Sequence, residues 1–106
     1  MPERSTAAEL RFSSKVYRLE TIKKAAYRLS GRCSFDFAVE DDEIICRLIF
    51  REAAAVELVN EIEYALRNEV LDQDLRATIA EETAAVRNAV LAYAFSRTGL
   101  QNGEPL

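Results

Sequence analysis

The stretch from Asn68 to Ser96 contains neither glycine nor proline, and its apolar residues recur at helical spacing. A first stripe of apolar side chains consists of Leu71, Leu75, Ile79, Val86 and Val90. A second stripe, of small and apolar residues, consists of Ala77, Ala84, Leu91 and Phe95. Because a helix that covers one core needs only one apolar stripe, the two stripes predict a helix with contacts on two sides.

A polar line of Arg76, Thr83 and Arg87 runs between the two stripes. Since apolar residues flank both arginines, we expect them to be part-buried and to need a carboxylate partner. That partner is either internal or belongs to another protein, where arginine often anchors an interface. The internal candidates are Glu57, Glu61 and Glu69.

A domain of this size is expected to cover only one of the two stripes. The second stripe would then be an exposed apolar patch, which usually marks an interaction site. Its small residues would let a partner helix approach closely, with Arg87 as the anchor. The candidate partner-binding residues are Arg76, Thr83, Ala84, Arg87, Asn88, Leu91 and Phe95.

The N-terminal half has the patterns of a small sheet and one helix. A first strand is predicted near Lys15 to Arg18, and a short helix over about Glu20 to Ser30, stopped by Gly31. Phe35, Phe37 and Val39 alternate with small or polar residues, as in a half-buried strand. The segment from Ile44 to Phe50 is apolar on both faces apart from Arg47, which is typical of a central strand.

The last two strands are expected to form a hairpin with a two-residue loop at Asp41 and Asp42. This loop pairs Phe37 with Cys46 and Phe35 with Leu48, and it sets Asp36 opposite Arg47 as a favourable charge pair. Cys33 and Cys46 are then roughly 13 Å apart along the strands, too far for a disulfide. Both thiols are therefore expected to be free.

These elements predict an α+β fold with a three-stranded antiparallel-type sheet, a split β-α-β arrangement in the order 1-3-2. One short helix and two long C-terminal helices complete it. The helical period begins at Ala53, and Asp72 is a plausible N-cap for the second long helix, although one kinked helix is the alternative. The length predicts a single domain over residues 1–106, with an ordered core over about 10–98 and flexible tails at 1–9 and 99–106.

Charge is unevenly distributed along this acidic chain, whose net charge is −4. Residues 1–32 hold eight basic and three acidic side chains, whereas residues 52–88 hold three and nine. The asymmetry either steers a partner or attracts two parts of one fold to each other. A nucleic-acid-binding regulator that uses the basic segment 15–32 is the alternative function, but the basic cluster is diffuse.

The residue types argue against catalysis and metal binding. There is no histidine, only two cysteines and only three glycines, so we expect no catalytic residues, no metal and no cofactor. A radical enzyme with a three-cysteine iron–sulfur motif is excluded, since only two cysteines exist. The acidic pairs Glu57–Glu61 and Glu81–Glu82 are expected to be solvated.

No apolar run approaches the roughly 20 residues that a membrane span needs. The first residues, MPERSTAAELRFSS, lack the apolar segment of a signal peptide. A cytoplasmic location without membrane contact is therefore expected.

The segments NEVLDQDLR, EET and RNAVLAYAFS, with the earlier TIKKAAYRLSGRCSFDF, resemble the HxsD-type family of His-Xaa-Ser peptide-modification systems. The resemblance covers roughly residues 15–96. It implies a small non-catalytic accessory protein that acts as a recognition or complex-stabilising subunit. The implied partners are radical maturase enzymes, the His-Xaa-Ser repeat substrate protein, or both, and a homo-oligomer stays open. The resemblance rests on Asn68, Glu69, Leu71, Asp72, Leu75, Arg76, Thr83, Arg87, Asn88, Ala94 and Phe95.

Overall fold

The computed structural model describes residues 4–98, which form three strands and two helices. The elements are β1 (Arg4–Ser13), α1 (Leu19–Arg28), β2 (Ser34–Glu40), β3 (Glu43–Ala55) and α2 (Val56–Thr98). The chain divides into two compact units, Met1–Asp74 and Leu75–Leu106. The flexible tails predicted for residues 1–3 and 99–106 lie outside the described residues, and the single domain stays a prediction.

The sheet has the order β1-β3-β2, and both outer strands run antiparallel to β3. The predicted order 1-3-2 is therefore confirmed, with the most apolar strand in the centre. Ile44, Cys46 and Leu48 of β3 point into the core and are buried, and Ile45 on the opposite face is only 6% exposed. The rest of that opposite face is open, since Arg47 and Ile49 are exposed, so β3 is central because it pairs along both edges and not because both of its faces are buried.

The hairpin of β2 and β3 has the predicted register. Phe37 pairs with Cys46 and Asp36 with Arg47, and Glu40 and Glu43 close the loop at Asp41 and Asp42. Asp41 has a φ of 53°, a left-handed conformation that aspartate adopts more readily than most residues. The two faces differ as expected, since Phe37 packs against the core and its neighbour Ala38 is exposed.

The position of the first strand was predicted wrongly. Residues 14–17 form a turn, in which the amides of Val16 and Tyr17 donate to the carbonyl of Ser13 at 3.1 and 3.0 Å. β1 precedes this turn, and Leu10 and Phe12 bring it into the core. Residues 4–9, predicted as part of a flexible tail, belong to β1 because they pair with β3 along its edge.

β3 continues beyond its predicted end, so that α2 begins at Val56 rather than at Ala53. The extension pairs with the start of β1, where Arg4 lies opposite Ala55. Between this pair and the main ladder the register shifts, which is the mark of a bulge. The Arg4 guanidinium donates to the carbonyl of Ala53 at 3.3 Å, so the backbone here bonds to the neighbouring strand instead of starting a helix.

One face of each helix completes the core of the first unit. The apolar face of α1 is buried at Ile22, Ala25 and Ala26, while Leu29 is half-buried at the C-cap. In the first part of α2, Val59, Ile62, Leu66 and Val70 are buried, whereas Val56 is 39% exposed. These side chains join those of the sheet in one hydrophobic cluster.

The prediction of two long C-terminal helices was wrong, because α2 is one helix from Val56 to Thr98. Asp72 lies within it rather than at a new N-terminus. No glycine or proline occurs in these residues, so nothing in the sequence breaks the ladder of backbone hydrogen bonds.

Both cysteines are free, as predicted. Cys46 is fully buried in β3, and burial together with the nearby Cys33 thiol raises the pKa of Cys46 to about 12. Cys33 is half-buried, and its pKa is also raised by burial, although Arg32 opposes this effect. Neither thiol is therefore activated toward nucleophilic chemistry, which requires a lowered pKa.

Candidate docking surface

The seven residues predicted to bind a partner all lie in the second unit, on the C-terminal part of α2. We call them the docking surface. All are exposed except Ala84, which is half-buried, and the large side chains Leu91 and Phe95 are 46% and 51% exposed. Its members are Arg76, Thr83, Ala84, Arg87, Asn88, Leu91 and Phe95.

The first stripe is also uncovered, which contradicts the prediction that one stripe would be buried. Its five side chains are between 51% and 64% exposed. The expectation failed because the core ends earlier along α2, where Val70 is the last fully buried apolar residue. Within residues 75–97 the helix therefore presents apolar side chains to solvent on two sides, which is unusual for a helix without a partner.

The two arginines of the polar line are exposed rather than part-buried, so this prediction was wrong as well. Two of the three carboxylates proposed as their internal partners bind other arginines. Glu61 accepts from Arg32 at 3.0 Å, and Glu69 lies 3.1 Å from Arg28. An exposed Arg87 beside Leu91 has the combination of charge and apolar surface that suits an interface anchor.

Tyr93 and Arg97 form a side-chain pair that was not predicted from the sequence. The Arg97 guanidinium donates to the Tyr93 hydroxyl at 2.9 Å and lies 5.6 Å from the centre of its ring. Their spacing of four residues, which places them on neighbouring turns, could have revealed this pair. The pairing holds a 63% exposed aromatic ring in place on the same side of α2 as the first stripe.

The basic segment contacts the acidic part of α2 within the first unit. Arg28 and Arg32 form the two ion pairs with Glu69 and Glu61 described above. These pairs favour the interpretation that the basic and acidic segments attract each other within one fold. They also leave less positive charge for a nucleic acid.

The outer face of the sheet carries a charged depression of about 340 Å³. Arg11 binds Glu9 and Glu43, both at 2.9 Å, and these hydrogen bonds, led by that to Glu43, raise the pKa of Arg11. Asp36 and Arg47 line the same depression. The ion pair of Arg11 with Glu43 joins β1 to β3 across this exposed surface.

Other features of the described residues bear on function only weakly. The acidic pairs Glu57–Glu61 and Glu81–Glu82 are exposed, as predicted. Residues 4–98 contain no cluster of three or more potential metal ligands. Over the same range, neither helix is both long and apolar enough to cross a membrane.

Comparison with known proteins identifies the family. No curated protein and no solved structure matches the chain. The family model described as His-Xaa-Ser system protein HxsD matches residues 12–101, which is most of the chain. This range includes α1, the hairpin and the docking surface, and it confirms the resemblance seen in the sequence. The chain belongs to the HxsD family of His-Xaa-Ser system proteins.

Proposed function

We propose that this chain is a non-catalytic accessory protein that recognises or stabilises a complex within its His-Xaa-Ser system. In this role the docking surface binds a radical maturase enzyme or the His-Xaa-Ser repeat substrate protein. Membership of the family supplies the setting. The observation that carries the proposal is the exposure of Leu91 and Phe95 beside Arg87.

The chemistry of the docking surface suits a protein partner. Leu91 and Phe95 provide apolar area whose burial contributes about 25 cal/mol for each Å². Ala84 lies about two turns from Leu91 and three turns from Phe95, and its small side chain would let a partner helix come close. Arg87 can donate several hydrogen bonds to a carboxylate, which fixes the orientation of the partner. A small molecule would instead need a concave pocket, and this surface is one side of a helix.

The proposal is tested by co-purification of the full chain with the maturase or the substrate protein of its own system. Leu91→Glu places a charge in the centre of the docking surface and should abolish co-purification. Because Leu91 is 46% exposed, its replacement should leave the circular dichroism spectrum and the melting temperature nearly unchanged.

The matched control is Ala85→Glu, which adds the same charge at an exposed position of α2 outside the docking surface and both stripes. This variant should bind as well as the parent chain. If Leu91→Glu also binds normally, the docking surface is not the binding site. If Leu91→Glu unfolds the chain, Leu91 belongs to a core and the proposal fails.

A further inference from the structure

The last four of the five residues of the first stripe have a spacing that reads the same in both directions. Leu75, Ile79, Val86 and Val90 follow one another at intervals of four, seven and four residues. A two-fold interface between identical chains requires that if residue i contacts residue j, then j contacts i. Two antiparallel helices meet this requirement here, because Leu75 of one copy falls opposite Val90 of the other, and Ile79 opposite Val86.

The charges along α2 change sign at the midpoint of this pattern, between Glu82 and Thr83. Residues 69–82 carry five carboxylates and one arginine, whereas residues 83–98 carry two arginines and no carboxylate. An antiparallel pair places the acidic half of one helix beside the basic half of the other. A parallel pair places like charges together, which costs free energy. The charges and the apolar spacing therefore both favour an antiparallel helix pair, and both place its centre between Glu82 and Thr83.

The stripe also has the exposure and the straightness that helix pairing needs. The four side chains of the symmetric pattern are 53%, 60%, 64% and 60% exposed. Leu75 and Val86 are eleven residues apart, as are Ile79 and Val90. A spacing of eleven residues over three turns keeps side chains on one side of a nearly straight helix. Two such helices can therefore stay in contact from Leu75 to Val90.

We propose that two copies of this chain associate through the first stripe as antiparallel helices, with the two-fold axis between Glu82 and Thr83. The docking surface lies mainly on another side of α2 and stays available to a different protein. The dimer therefore stands independently of the proposed accessory role. The same geometry brings the two Glu82 carboxylates near the axis, where like charges oppose association.

Sedimentation equilibrium of the full chain tests the association. The parent chain should have twice its mass of 12.0 kDa. Ile79→Glu should raise the dissociation constant about 100-fold or more, as expected for the loss of a central apolar contact. Glu82→Gln should lower it. Leu91→Glu, which disrupts the docking surface, should leave the dissociation constant of the dimer unchanged. Failure of the accessory role and failure of the dimer can therefore be told apart.

Cysteine crosslinking tests the orientation in a Cys33→Ser background, in which Cys46 is buried. A mixture of Leu75→Cys and Val90→Cys chains should form a disulfide between the two variants on mild oxidation, since the Cα atoms must come within about 7 Å. Leu75→Cys alone should not crosslink. A disulfide between two Leu75→Cys chains would show a parallel pair and overturn the proposal. A monomeric parent chain, or an unchanged dissociation constant in Ile79→Glu, would overturn it too.

Discussion

At the scale of single residues, Cys46 couples the stability of the fold to pH. Burial raises its pKa to about 12. A raised pKa in the folded state means that the unfolded chain loses its proton first, so folding is stabilised fully only below the unfolded pKa of about 8.5. We predict that the free energy of unfolding falls as pH rises from about 9 toward 12, by at most about 1.4 kcal/mol per pH unit for this thiol. Urea denaturation at pH 7 and pH 10 measures it.

The control for this prediction is Cys46→Ala, which removes the thiol and leaves a small cavity. The variant should be less stable than the parent chain at pH 7. Its disadvantage should shrink at pH 10, because only the parent chain has the buried thiol to keep protonated. An equal disadvantage at both pH values would mean that Cys46 is accessible to solvent.

The arginines of α2 show what spacing can and cannot predict about a residue. Spacing correctly placed Arg76 and Arg87 on one line between apolar residues. It wrongly predicted that both arginines are part-buried. A pattern of side chains shows which side of a helix is apolar, but it does not show how far along the helix other elements pack against that side. Leu66 and Leu91 are both apolar leucines of α2, yet one is fully buried and the other 46% exposed.

At the scale of elements, the hairpin register makes adjacent positions of β2 unequal. Phe37 packs against the core, whereas Ala38 is exposed. Phe37→Asp should lower the free energy of unfolding by about 2 kcal/mol or more, because it places an unpaired carboxylate against apolar side chains. Ala38→Asp should cost about 1 kcal/mol or less. Urea denaturation of the two variants compares them, and equal losses would contradict the observed pairing.

The hairpin could be predicted because the information lies within it. Alternation of Phe35 and Phe37 identifies the inner face, and the two aspartates at 41 and 42 fix the loop. The first half of β1 could not be predicted in this way. Residues 4–9 contain no large apolar side chain, and they become a strand through hydrogen bonds to β3, more than 35 residues later in the chain. The pattern of residues within 4–9 carries no information about a strand so far along the chain, so it cannot predict this pairing.

At the scale of the whole molecule, net charge and ion pairing argue against binding of nucleic acid. The chain carries −4, and Arg28 and Arg32 of the basic segment bind carboxylates of α2. We predict no change in the fluorescence anisotropy of labelled duplex DNA or single-stranded RNA with the chain at about 10 µM and physiological salt, where even non-specific binders have constants of about 10⁻⁴–10⁻⁶ M. Saturable binding that weakens as salt rises would revive the nucleic-acid alternative.

The order of the sheet also has a consequence for synthesis on the ribosome. β1 is made before the other elements, but its only partner strand among the described residues is β3, which is made after α1 and β2. The nascent β1 therefore has no strand to pair with until β3 has left the exit tunnel, whereas β2 can pair with β3 as soon as both have emerged. The hairpin is closed by a loop of two residues and β1 by a much longer one, so chain entropy favours the same sequence of events. Of the three strands, β1 is therefore expected to be the last to enter the sheet.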